Sequence, residues 1–181
     1  VDMHGLVSLL DEAHYHQVEQ IWHDLEINCG LKGVYATSLP HFSWQIAEDY
    51  QWESLQSVLK EIAATARPFT VHTTGLALFT GESPVVYIPI VRTKELSEFH
   101  LELWNQLVPF STLPSPYYAP SSWMPHISLA YQDVDAGSLN CLMEKLTFQT
   151  FKWEINVDNL ALIFQPDDSI GQIFYQFKFG K

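Results

Sequence analysis

Residues 124–131 read Met-Pro-His-Ile-Ser-Leu-Ala-Tyr and residues 40–44 read Pro-His-Phe-Ser-Trp, so one short pattern occurs twice, its histidines 85 residues apart. In each copy a histidine and the serine two positions on alternate with apolar residues. That period belongs to a strand, whose successive side chains point to opposite faces. His41 and Ser43 therefore share one face and Phe42 and Trp44 the other; His126 and Ser128 oppose Ile127 and Leu129 in the same way. Each strand has an apolar face to bury and an imidazole beside a hydroxyl to present. The prolines ahead of the histidines, Pro40 and Pro125, suit a strand entered from an extended turn.

Working outward, the periodicity predicts a strand over 3–10, then a helix after Asp11 with Val18, Ile21, Trp22 and Leu25 on its apolar face, ending near Gly30. The first motif lies in a strand over about 34–46, followed by a helix over 51–66. Strands over 69–79 and 85–92 are split by the turn-like Gly81-Glu82-Ser83-Pro84. A helix over 94–108 stops at Pro109, and the Pro- and Ser-rich stretch 109–122 reads as loop. The second motif strand (124–131), a helix (137–147) and strands over 150–164 and 171–179 complete the chain.

The order strand-helix-strand-strand thus occurs twice and the copies align. Gly75-Leu76-Ala77-Leu78-Phe79 and Val86-Tyr87 follow the first motif; Asn159-Leu160-Ala161-Leu162 and Phe174-Tyr175 follow the second. From His41 to Leu76 is 35 residues and from His126 to Leu160 is 34, as an internal duplication would leave them. The expected architecture is α+β: a bilobal duplicated fold of two mainly antiparallel sheets with outer helices, facing a central cleft. One two-lobed domain is expected over 3–181, with a motif 1 half at about 34–92 and a motif 2 half at about 124–179. Met3 reads as a native start, with Val1 and Asp2 as a remnant ahead of it.

Composition narrows the function. Hydrophobic residues make up 47% of the 181 residues and charged ones 17%, which supplies a core and argues against disorder. No apolar run approaches the roughly 20 residues of a membrane span, and no charged segment precedes an apolar one as in a leader; a cytoplasmic protein without a membrane partner is expected. The two cysteines, Cys29 and Cys141, belong to no C-x-x-C pair, lie in helical stretches, and are expected to pack as ordinary small side chains with no disulfide. A formal charge of −12, with nine basic residues scattered and never clustered, disfavours a long polyanionic partner. A small anion held by a few aimed groups is compatible with it, and a monomer is expected.

Two His-Ser strands define a chemistry. Imidazole, with an unperturbed pKa near 6.5, both accepts and donates protons around neutrality. One neutral histidine can take a proton from an attacking water while the other, protonated, hands one to a leaving alkoxide. Serine hydroxyls can hydrogen-bond the non-bridging oxygens of a phosphate as charge builds. No metal and no nucleophilic side chain is required. Among the other histidines, His72 in Val71-His72-Thr73-Thr74 lacks the apolar alternation, and its counterpart near Asn156-Val157 carries no histidine. His14, His16 and His23 lie on the first helix, where positions two apart diverge. No H-E-x-x-H spacing supports a metal-dependent hydrolase, and no metal or cofactor is expected.

At these residues the chain resembles the 2H phosphoesterases, the superfamily of 2′-5′ RNA ligase-like proteins and cyclic phosphodiesterases, and it does so over essentially the whole length from Met3. The resemblance implies His41 and His126 as the acid–base pair and Ser43 and Ser128 as the phosphate-binding hydroxyls. Strong acidity of the chain turns the expected substrate toward a small nucleotide 2′,3′-cyclic phosphate or a 2′-5′ phosphodiester. A non-catalytic nucleotide sensor using the same cleft and a 2′-5′ RNA ligase activity are the alternatives. Tyr117, Tyr118 and Trp123 before the second motif and Tyr131 after it are candidates to stack a base or line the cleft. Arg92 is a candidate to reach a phosphate.

Overall fold

Capping chemistry and apolar spacing set the first two elements. In the computed structural model, which describes residues 3–165 and 170–180, strand β1 (Met3–Leu9) leads into helix α1 (Glu12–Cys29). Val1 and Asp2, read above as a remnant, lie outside the described residues. Asp11 caps α1, its carboxylate accepting from the His14 backbone N–H at 3.1 Å. Gly30, at φ 72°, ends it by donating its N–H to the Glu26 carbonyl. Val18, Ile21, Trp22 and Leu25 form the buried stripe that the spacing predicts.

Residues 33–37, expected to open the first motif strand, form a 3-10 turn instead. Tertiary contact overrides local propensity here. The backbone N–H groups of Lys32 and Gly33 both donate to the Asp133 carboxylate, at 2.5 and 2.8 Å. A Cβ at position 33 would sit 1.6 Å from the Tyr131 carbonyl oxygen, so only glycine allows the turn to lie against the end of the second motif. Strand β2 (His41–Tyr50) follows, then α2 (Trp52–Thr65), β3 (Phe69–His72), β4 (Ala77–Phe79), β5 (Val85–Pro89) and α3 (Lys94–Leu107). The stretch expected as loop contains a short strand, β6 (Ser111–Pro114), pairing with the far end of β2 through Ala47↔Pro114 and Asp49↔Thr112. A proline is tolerated there because β6 is an edge. Strand β7 (His126–Ala130), α4 (Ala136–Leu146), β8 (Glu154–Val157), β9 (Asn159–Gln165) and β10 (Gln172–Lys178) complete the order.

Every strand ladder is antiparallel. Among the described residues a five-stranded sheet runs β10-β9-β1-β2-β6, a three-stranded sheet β4-β5-β7, and β3 pairs with β8 alone. The two sequence halves exchange strands. Motif strand β2 of the first half reaches the β9–β10 hairpin of the second through β1, whereas motif strand β7 of the second half pairs with the β4–β5 hairpin of the first. Helices α2 and α3 pack on the larger sheet, while α1 packs beside α4 and β7. Phe42, Trp44, Ile127 and Leu129, the apolar faces of the two motifs, are at most 1% exposed and belong to one core cluster. Burying a side chain of this size contributes about 1.5–3 kcal/mol, which anchors each strand with its polar face outward.

The cysteines correct one expectation. Cys29 and Cys141, 112 residues apart, form a disulfide with sulfurs 2.06 Å from each other. The pairing is invisible in the sequence because it arises only from the packing of α1 on α4. Such bonds persist chiefly in oxidising compartments, which pulls against the cytoplasmic expectation. Among the described residues no helix is long and apolar enough to cross a membrane.

Candidate active site

Motif strands β2 and β7 lie next to each other: β7 is an edge of the three-stranded sheet, and β2 lies between β1 and the edge strand β6 in the larger one. The same three contacts recur at each. First, the histidine Nδ1 meets the carbonyl two residues upstream: His41 that of Leu39, and His126 that of Met124 at 2.7 Å. A carbonyl only accepts, so Nδ1 carries the hydrogen in both rings. The neutral imidazole then presents Nε2 as its basic nitrogen, and among the described residues no hydrogen bond engages Nε2 of either ring. Second, an indole N–H holds the serine carbonyl: Trp123 donates to Ser43 at 2.9 Å and Trp22 to Ser128 at 3.0 Å. Third, the intervening apolar residues are locked in the core, so neither strand can rotate its polar face.

The surroundings differ. His126 rests against Phe79 and Tyr87, with ring centroids 5.1 and 5.0 Å away. Burial lowers the pKa of both histidines, opposed in each by the carbonyl on Nδ1. His41 is lowered further by the charge of His126, which places the two rings within electrostatic range of each other.

Five further residues were candidates for the cleft, and the structure reassigns two of them. Trp123 is 1% exposed, stacked face to face on His100 at 3.8 Å and 7° and beside Trp44 at 5.3 Å, so it cannot stack a base. Arg92 does not reach for a phosphate: its guanidinium donates to the carbonyls of Trp123, at 3.0 Å, and Pro120, and to Ser97 Oγ at 3.2 Å, while lying over the Trp123 ring. Tyr118 is half-buried and packs against the core. Tyr131 is also half-buried, and Tyr117 is 80% exposed. His72 lies on β3 beside Glu154, and His14 and His16 pair with Asp11 and Glu19.

Sequence reasoning missed Trp22 and His100. Trp22 reads as a core residue, and it is buried, but its N–H is also the brace on Ser128. His100 sits in α3 with no motif; its Nε2 donates to the Trp44 carbonyl at 3.0 Å, and burial pushes its pKa down to about 4. Among the described residues no three His, Cys, Asp or Glu side chains gather as a metal site needs. A separate groove of about 470 Å³ between α1 and α4 includes no residue of either motif.

A strand-exchanged α+β frame that sets two His-x-Ser strands side by side is the frame of a 2H phosphoesterase. The sequence profile of the 2′-5′ RNA ligase superfamily matches residues 11–168, and the chain belongs to that family. Similar chains include a protein of Bacillus cereus (strain AH820), provisionally named a phosphoesterase, which is 27% identical over 150 residues, 81% of this chain and 83% of its own. A counterpart from Bacillus mycoides (strain KBAB4) matches to the same extent. Among solved structures, TT0787 of Thermus thermophilus superposes with a TM-score of 0.68 at 16% identity, covering 98% of both chains. LigT of E. coli, crystallised with 3′-AMP, superposes with a TM-score of 0.63 at 13% identity, covering 99% of both. These two likenesses show a shared fold.

Proposed function

We propose that this chain is a metal-independent phosphodiesterase that cleaves a small nucleotide 2′,3′-cyclic phosphate or 2′-5′ phosphodiester, with His41 as base and His126 as acid. The observation that carries this is the matched tautomer: each imidazole is fixed through Nδ1 by the carbonyl two residues back, leaving both Nε2 atoms for proton transfer. Two identically prepared rings in electrostatic range suit a reaction that takes one proton and gives another. A single binding function needs neither.

In the proposed reaction Nε2 of His41 accepts a proton from the attacking water as its oxygen bonds to phosphorus. The bond from phosphorus to the 2′ or 3′ oxygen breaks, and Nε2–H of protonated His126 delivers its proton to the leaving alkoxide. Ser43 and Ser128 donate to the non-bridging oxygens. The turnover ends with the proton moved from His126 to His41, and exchange with solvent restores the starting state. Two observations favour a small substrate: the net charge of −12, and the engagement of Arg92 with protein carbonyls. LigT, which shares the fold, has been crystallised with 3′-AMP, phosphate and ATP.

The test is hydrolysis of a panel of nucleoside 2′,3′-cyclic phosphates and 2′-5′-linked dinucleotides in the presence of a chelator. Turnover that survives the chelator and disappears in the His41→Ala, His126→Ala double variant is expected. Turnover abolished by the chelator, or retained by the double variant, refutes the reading.

A further inference from the structure

Tyr87 stands on the polar face of the second motif. In the three-stranded sheet it lies directly opposite Ser128, and Pro89 lies opposite His126, so the phenol shares a face with the motif serine and histidine. Its ring leans on the His126 imidazole at 5.0 Å and on Phe79 at 4.2 Å. The other face of the same strands carries Ile88 and Ile127, both fully buried.

Tyr87 is 3% exposed, and a phenol covered to that depth ordinarily gives its hydroxyl a partner. Among the described residues it has none, and its oxygen is not sealed from solvent either. The ring is buried while the oxygen opens on the motif face, where the Ser128 hydroxyl and His126 Nε2 are also without partners among the described residues. Packing does not ask for this hydroxyl. Opposite Ser43, on β1, the corresponding place is taken by Val7, 1% exposed. An aliphatic side chain thus suffices beside one motif serine, whereas beside the other the covered ring ends in a polar atom. An unpaired hydroxyl works against stability, and such groups persist where a ligand completes them.

We propose, on the phosphodiester reading above, that Tyr87 is a phosphate-binding residue: its hydroxyl donates, beside that of Ser128, to a non-bridging oxygen of the substrate. A phenol is a stronger acid than an aliphatic alcohol and so the better donor. Burial raises the Tyr87 pKa, which keeps that proton in place across the range in which the histidines titrate. The second motif then offers the phosphate two hydroxyls and the first motif one. The contact is to phosphate and is independent of the base.

Tyr87→Phe keeps the ring against His126 and Phe79 and removes only the oxygen. The experiment compares this variant with the wild type in three readouts: the Kd for inorganic phosphate, kcat/KM against pH on adenosine and uridine 2′,3′-cyclic phosphates, and Tm. Loss of one donor to a charged oxygen is expected to weaken phosphate binding about tenfold and to lower kcat/KM about as much on both bases. Tm should be unchanged or raised, and the pH optimum unmoved. Wild-type phosphate affinity in Tyr87→Phe overturns the proposal. A lowered Tm also overturns it, because the hydroxyl is then structural. So does a moved pH optimum, which puts the hydroxyl on His126 instead of phosphate, or a loss confined to one base. The phosphate arm needs no turnover. A wild type that hydrolyses neither substrate, beside a variant that has lost phosphate affinity, upholds the contact and refutes the phosphodiesterase reading. A wild type that turns over, beside a variant that binds phosphate as before, upholds the reading and refutes the contact.

Discussion

The first and second motifs carry the same frame in different settings. Each fixes its imidazole through a carbonyl two residues back, and each has its serine carbonyl held by a tryptophan indole. Those indoles come from different elements, Trp22 from α1 and Trp123 from the segment before β7, so the likeness extends beyond the repeated sequence. Around that frame the settings diverge. His41 is lowered by burial and also by the charge of His126, and the segment that carries the Ser43 brace is pinned by Arg92 and His100. His126 lies against Phe79 and Tyr87, and its side of the molecule is the one braced by the disulfide between α1 and α4. A repeated frame yields two matched imidazoles, and in the proposed reaction their unequal surroundings divide the base and acid roles between them.

The strongest way to break the comparison is to remove each histidine in turn against two leaving groups. General acid–base groups contribute about 10²–10⁴-fold. His41→Ala should lose about a thousandfold in kcat on a cyclic phosphate and as much on a p-nitrophenyl phosphodiester. His126→Ala should lose as much on the first and far less on the second, because nitrophenolate leaves without a proton. Steady-state kinetics that show equal losses for both variants on both substrates would erase the distinction.

Stability sharpens it next. Closing a loop of 112 residues is worth about 4–5 kcal/mol in the chain-entropy account, so Cys29→Ser with Cys141→Ser should lower Tm by about 10 °C in a thermal scan. On the side of the first motif, His100 is buried neutral with a pKa near 4, while the unfolded chain takes up that proton below about 6.5. Stability contributed by the neutral ring is therefore fully present above pH 6.5 and is lost as the pH falls from 6.5 to 4. The loss is about 3 kcal/mol at most. Urea unfolding should show a slope over that window that His100→Gln flattens.

Smaller effects separate the two indoles. Removing either N–H leaves a strand carbonyl short of a donor, at about 1–3 kcal/mol. Trp22→Phe should act mainly on the second motif, with a modest fall in kcat. Trp123→Phe should cost more in Tm as well, since that ring also carries the stack on His100 and lies beneath Arg92. Smallest is the shift of the pH optimum. Burial lowers both histidines, so the bell-shaped profile of kcat should peak on the acid side of about 6.5.

Much of this was legible in sequence, and the limits are physical. Alternation around His41 and His126 is a local signal, so motif strands, helices and the α+β class follow from periodicity alone. Strand exchange between the halves depends on non-local pairing that no local pattern encodes. Trp123 stands beside a polar, proline-rich stretch that reads as exposed, and only the arrival of His100 from α3 and of Arg92 from before it turns that stretch inward. The 3-10 turn at 33–37 owes its shape to Asp133 and Tyr131, a hundred positions away in sequence and adjacent in space. The disulfide was hidden for the same reason.

The central claim, two rings matched in tautomer with His41 proposed as base and His126 as acid, is tested most directly by long-range ¹H–¹⁵N NMR titration of both imidazoles in one sample. The account predicts that both neutral rings carry hydrogen on Nδ1 and that His41 loses its proton at lower pH than His126. A His41 that titrates above His126, or either neutral ring protonated on Nε2, would contradict it.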